Sequence, residues 1–358
     1  MLFDCRPLRT HESYPLLTQI KHAGQVAFCG LLLMTGCGVT ACTSNPSDTP
    51  PTIAPTHAAV SPPAARPPAG VVRPLAGHAT AVVFDAATAS LVVLSPDEAG
   101  HATATVMPAK GQGRAVPLSG AATAMTGDGG GHVYAATRGG YFRIDIAQGR
   151  ANRVPVDGQD STDFTAIARR ADGKLVLGSA DGAVYTLSSD TAVGGQLKIF
   201  ARVDALVTQG DTAIVLDRGQ TSVTTVDPSG TKAEHALRAG EGATTLAADA
   251  AGRVLVADTR GDGLLVFTVD PLMLRQRYPV RGAPYGLAGS ARLAWVSQTA
   301  TNTVVGYDLA TGIPVEKVRY PTVQQPNSLA FDETSGILYV VSGTGAGVQV
   351  IANAGGVR

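Results

Sequence analysis

The sequence predicts an all-β protein: a seven-bladed β-propeller that follows an apolar amino-terminal segment and a proline-rich linker. Three observations carry this reading. A pattern of apolar run, tight turn and second apolar run recurs seven times at a spacing of roughly 40 residues, the range of propeller blades. Each recurrence is followed by further alternating runs rich in Val, Ile, Leu and Tyr, which makes four short strands per repeat. No stretch of the repeat region carries a helical period. Six or eight blades are the nearest alternative counts.

Lys21 and His22 precede the apolar run AFCGLLLMTG, from Ala27 to Gly36. A membrane-spanning helix needs about 20 apolar residues, and this run is shorter. Its order of basic residue, apolar core and small residues is that of a secretory signal. The small residues lead into a cysteine. The quartet Val39-Thr40-Ala41-Cys42 resembles the bacterial lipobox, and Met34-Thr35-Gly36-Cys37 is a second candidate in the same window. The resemblance implies a diacylglyceryl lipid on the sulfur of Cys42, or alternatively Cys37, with cleavage just before it. Residues 1–41 then form a lipoprotein signal peptide, and the mature chain is held at the outer face of the cell membrane. Each buried CH₂ contributes about 0.8 kcal/mol, and stable anchoring takes two chains, which a diacylglyceryl group supplies.

Residues 42–69 read as the lipidated cysteine and a disordered tether. Eight prolines between Pro46 and Pro68 stand among Ala, Ser and Thr, with almost no large apolar residue. Such a segment cannot bury enough surface to fold by itself. As an extended chain it rises about 3.1 Å per residue, which gives a domain a reach of several nanometres.

The body, residues 70–358, has the composition of a turn-rich β fold. Gly is abundant at 42 residues in the whole chain, and only 16% of residues are charged. The 28 basic and 28 acidic residues balance, so no basic field invites nucleic acid. All four cysteines lie at or before Cys42. The body therefore has no disulfide, thiolate metal site or cysteine nucleophile, and packing must hold it together.

The repeats are plain when set side by side: HATAVVFDAATASLVVLS from His78, DFTAIARRADGKLVLGS from Asp163, ATTLAADAAGRVLVAD from Ala243 and PNSLAFDETSGILYVVS from Pro326 are four of the seven. The last repeat ends at VQVIANAGGVR and lacks an outer strand, while an extra strand-like piece, GVVRPLAG, stands at Gly70 ahead of the first. The economical solution is that this piece completes the last blade. That would close the ring and remove exposed sheet edges.

PNSLAFDETSGILYVVS and TNTVVGYDLATG resemble the YVTN-type repeats of bacterial surface propellers, and ATTLAADAAGRVLVADTRGDGLLVF is similar to an NHL or gluconolactonase-type blade. With the lipobox, the whole chain resembles actinobacterial, mycobacterial-type propeller lipoproteins. Gluconolactonase-like enzymes hold a divalent metal with Glu, Asn and Asp. Asp258 and Asn327 match such positions loosely, and no glutamate matches at the start of the first blade. Streptogramin lyase-like propellers use a His and a Glu, for which no match is found. Repeat motifs of this kind specify fold better than function.

Several local motifs have a plain structural reading. TGDGGGHVY from Thr126 is Gly-rich but precedes no helix and no Gly-Lys-Ser. It aligns with the first-hairpin turns of other repeats, where Gly supplies positive φ. In DTRGDG from Asp258, Arg260 stands where a calcium loop wants an acid or amide, so a loop between second and third strands is expected. His78, His101, His132 and His235 form no HxxxH, HExxH or HxH pattern. Trp295 lies at a repeat-equivalent strand position and reads as core.

Loops before each first strand and between second and third strands should form one mouth of the ring. Candidate ligand contacts there are His101, Arg138, Asp163, Asp204, Asp258, Tyr285, Asn302 and Asn327. Asp97, Glu98, Asp181, Asp217, Arg218, Asp262 and Gln298 are neighbours on the same loops. No catalytic set and no metal site is assigned, and no cofactor is expected besides the covalent lipid. The expected partners are the membrane, through the anchor, and an envelope protein or small ligand. The leading reading is a non-catalytic binding or scaffold protein of the cell envelope. The alternative is a metal-dependent lactonase-like or lyase-like propeller enzyme.

Overall fold

The computed structural model describes residues 52–97 and 99–356. The proposed signal segment, Cys37, Cys42, the first part of the tether and Glu98 lie outside the described residues.

Seven four-stranded antiparallel sheets follow one another along the chain. In blade 1 the strands are Ala81–Asp85, Ser90–Pro96, Ala102–Pro108 and Arg114–Pro117, from the inside of the ring outward. Blade 2 spans Met125 to Pro155, blade 3 Phe164 to Lys198, blade 4 Ala205 to Arg238, blade 5 Ala243 to Pro279 and blade 6 Pro284 to Pro321. Blade 7 has Pro326–Asp332, Ile337–Ser342 and Val348–Ile351, and takes its outer strand, Val71–Arg73, from ahead of blade 1. Val71 pairs with Val350 and Arg73 with Val348, antiparallel, as the orphan GVVRPLAG piece required. Gly70 makes this seam possible. Its φ is +73°, and a Cβ there would overlap the Val350 carbonyl.

Second strands are apolar through their middles because each blade is packed on both faces. Leu91, Val92, Val93 and Leu94 are all 1% exposed or less. Burying each such side chain contributes about 1.5–3 kcal/mol. The apolar side chains fall into seven clusters, one between each pair of adjacent blades. At the closure, Tyr339 of blade 7 stacks on Phe84 of blade 1 with ring centroids 5.6 Å apart. Trp295 is fully buried between blades 6 and 7, where it stacks on Phe331.

The turn reading of TGDGGGHVY also holds. Asp128 Oδ1 accepts the Gly130 and His132 amides at 2.8 and 3.0 Å, and Gly129 and Gly131 take positive φ. It closes the first hairpin of blade 2.

One segment differs from its expectation. From Thr52 onward the proline-rich chain is seated on the ring instead of hanging free of it. It is bonded to blades 4 and 5 between Ile53 and Thr56 and to the loops of blades 6 and 7 between Ala59 and Pro62, before it enters blade 7 as the outer strand. Almost no large apolar side chain is buried along it; the strap is held by its backbone and the Ser61 hydroxyl, bonded to polar groups of the ring.

Candidate functional site

First strands line the hole in the ring. In blades 3, 5, 6 and 7 the register slips at the start of this strand, between Phe164 and Ala166, Ala243 and Thr245, Pro284 and Leu287, and Pro326 and Ser328. Such bulges re-aim side chains at a rim. Here they bring Thr244, Tyr285 and Asn327 to the wall of a central cavity of about 300 Å³. Thr80, Thr123, Thr245 and Ser328 add hydroxyls, and Asp204 and Arg218 add the two charges.

Asp204 precedes the first strand of blade 4. Its Oδ2 accepts the Arg218 amide at 2.8 Å, and its Oδ1 lies 3.3 Å from Arg202 Nε. Burial pushes its carboxyl above the usual carboxylate range, against the pull of the Arg218 amide and the Arg218 and Arg202 charges.

Asp258 does something else. It is fully buried, and its two oxygens accept amides of Glu241, Gly242 and Gly261. Asp217 is its counterpart one blade earlier, accepting the amides of Ala201 and Gln220. These carboxylates brace the loops leading into blades 4 and 5 against the turn that follows the second strand of the same blade. Their lone pairs are spent on backbone, a role that the position of Asp258 in DTRGDG did not reveal.

Asn302, with φ +48°, sends Nδ2 to Pro62 O at 2.7 Å and accepts the Gln325 amide at 3.2 Å. It therefore holds the strap. Asn327 lines the cavity and accepts Gln325 Nε2 at 2.9 Å. His101, Arg138 and Asp163 are exposed on the loops of blades 1 to 3, away from the cavity wall. Arg138 Nε donates to Ser161 O at 3.3 Å, and Asp97 shapes the His101 turn by accepting the Ala99 and His101 amides. The mouth loops thus bring Asp204, Tyr285 and Asn327 together, use Asp258 and Asn302 structurally, and leave three residues on the open rim. Among the described residues, no three His, Cys, Asp or Glu side chains gather in a metal-holding cluster.

Sequence reasoning missed the group that seats the strap. Ser61 is 4% exposed. Its amide donates to Gln325 Oε1 at 2.9 Å, its hydroxyl donates to Thr299 O at 2.6 Å, and that hydroxyl accepts the Gln325 amide at 3.0 Å. Gln324 Nε2 reaches Ser61 O, and Gln325 Nε2 reaches Ala59 O. Farther along, Ile53 donates to Gly219 O at 2.8 Å, Arg260 Nη2 to Ala54 O at 2.8 Å, and Arg218 Nη2 to Thr56 O. A Ser in a Pro-Ala run and two glutamines in a loop carry no spacing that would pair them across more than 260 residues.

Neither a family model nor a curated protein matches the chain. Solved structures match it by fold. A streptogramin B lyase superposes with a TM-score of 0.61 at 10% identity, covering 78% of this chain and 96% of that one. Virginiamycin B lyase from Staphylococcus aureus gives 0.63 at 10% identity, covering 76% and 94%. A chain of the mitotic checkpoint complex gives 0.68 at 11% identity, covering 82% and 95%. The likeness extends to 1266 chains, so it defines a β-propeller and selects no activity within that fold.

Proposed function

We propose that this protein is a lipid-anchored, extracytoplasmic binding propeller of the cell envelope, of the YVTN- or NHL-like kind. The observation that carries the reading is the strap. The chain that leaves the lipobox does not lead away to a loosely hung domain. Its later part lies across the mouth of the ring. Roughly ten residues separate Cys42 from Thr52, at most about 36 Å of extended chain. A lipid on Cys42 would therefore keep the ring within a short reach of the bilayer. A short tether of this kind suits a protein that offers a binding surface at the membrane. The spent carboxylates of Asp217 and Asp258 favour binding over catalysis at the mouth.

The test is intact and peptide mass spectrometry of protein extracted from membranes, wild type beside Cys42→Ala and Cys37→Ala. A lipidated Cys42 at the mature amino terminus, lost only in Cys42→Ala, is the expected result. Unmodified protein in the cytosol would overturn the reading.

A second reading, a lyase-like or lactonase-like propeller enzyme, draws on one feature: Asp204, a carboxyl that burial pushes up, stands in the central cavity. A shift in that direction is the one a general acid uses. Turnover of any lactone, abolished by Asp204→Asn, would favour it.

A further inference from the structure

The geometry points to a carboxylate-binding site at Arg218, occupied in this structure by the protein's own strap. It takes a small hydroxylated carboxylic acid in the central cavity.

The inference starts from the shape of a guanidinium. Nε and Nη2 donate in parallel from one edge, and a carboxylate meets both at once. The molecule holds a complete example: Arg319 Nε and Nη2 reach the two oxygens of Glu316 at 2.8 and 2.7 Å. Arg218 offers the same edge half filled. Its Nη2 donates to the Thr56 carbonyl, while its Nε is buried with no partner. A carbonyl presents one oxygen where the edge asks for two. The Thr56 hydroxyl beside it is also buried and unpaired. Leaving such groups unpaired is costly, so this contact is a poor match for its site.

Charge points the same way. Neither Arg218 nor Arg260 has a carboxylate partner among the described residues. Both spend their guanidinium on neutral strap carbonyls, Thr56 O and Ala54 O. Arg218 also lines the central cavity. At about 300 Å³ that cavity is at the small end of ligand pockets. Thr123, Ser328 and Asn327 on its wall, with the Thr80 and Thr245 hydroxyls, which donate to Leu94 O and Tyr285 O and can still accept, suit a body carrying hydroxyls. A ligand whose carboxylate takes the Nε–Nη2 edge displaces Thr56 and lifts residues 52–56, while the Ser61 seat holds the rest of the strap in place. The strap is then a built-in competitor that sets the threshold for binding.

This rests on reading the mouth as a binding surface, and it is independent of the lipid anchor, which the mass measurement reads separately. The experiment uses the full chain and three four-carbon probes. Erythronate has the carboxylate and the hydroxyls, butyrate only the carboxylate, and erythritol only the hydroxyls. Titration calorimetry gives affinity, and hydrogen exchange at the Ile53 and Ser61 amides reports on the two parts of the strap.

Erythronate is expected to bind more tightly than either comparator and to speed exchange at Ile53 but not at Ser61. Arg218→Gln should weaken binding at least about tenfold, the loss of one charged hydrogen-bonded pair. Arg218→Lys, which keeps the charge and loses the paired donors, should fall between. Replacing residues 52–56 with glycines and serines should tighten binding, which a variant that merely failed to fold would not do. No erythronate binding, binding indifferent to Arg218→Gln, or stronger binding of inorganic phosphate than of erythronate would each overturn the assignment.

Discussion

The two ends of the strap are made of similar residues and are held in different ways. Ser61 itself is buried, and its hydroxyl both donates and accepts within blades 6 and 7. From Thr52 to Pro55 the chain is exposed, and Ile53 retains 37% of its surface. Its bonds to blades 4 and 5 come from one backbone amide and two arginines, and they leave Thr56 Oγ1 and Arg218 Nε unpaired. A segment that buries no large apolar side chain is thus fixed where a polar seat satisfies it fully and only rests where the seat does not. The first end is structural. The second is where something else can compete.

The sharpest way to break this contrast is Ser61→Ala. It removes a buried donor from Thr299 O and an acceptor from the Gln325 amide. A loss of about 1–3 kcal/mol is expected in urea unfolding. A change within error would mean that the Ser61 end rests as lightly as the other. Asn302→Gly comes next. Glycine accepts the φ of +48°, so the variant isolates the lost bonds to Pro62 O and the Gln325 amide. About 1 kcal/mol is expected, with faster amide exchange at Ser61 and none at Ile53.

The same contrast explains what the sequence could disclose. Periodicity reports side chains that alternate in and out, so the blades were legible, and so was the closure of blade 7 by Val71–Arg73. The turn of TGDGGGHVY was legible because Gly and Asp act there on their own neighbours. Ser61, Gln325 and Asn302 act on backbone far away in the chain, and nothing near them in sequence marks the pairing. Asp258 misled for a related reason. A carboxylate on a mouth loop looks free until the amides of Glu241, Gly242 and Gly261 are seen to fill it. Asp204, Tyr285 and Asn327 share a cavity because equivalent positions of a ring must converge.

Asp204 sharpens the comparison through pH. Burial raises its carboxyl, so the folded state holds the proton more tightly than the unfolded chain. Its contribution to stability is complete below the ordinary carboxylate value of 3.8 and is lost as pH rises through the raised value. Wild type should therefore weaken relative to Asp204→Asn across that acid window and then run parallel to it, as read from urea midpoints. Wild type gaining on Asp204→Asn as pH rises would mean that the ion pair with Arg202 outweighs burial.

The smallest effect belongs to Arg260→Ala. Its guanidinium is exposed and holds one neutral carbonyl, Ala54 O. Surface contacts of this kind fall within about 0.5 kcal/mol, so the urea midpoint should hardly move. Local opening is a finer reading than global unfolding, because a segment held by few bonds opens at far lower cost than the whole domain. The Ile53 amide should exchange faster in this variant while the Ser61 amide keeps its wild-type rate. Equal acceleration at both would show that the strap lifts as one piece. The ring would then gate its mouth with the entire segment from Thr52 to Pro62, and Ser61 would be part of the gate instead of its hinge.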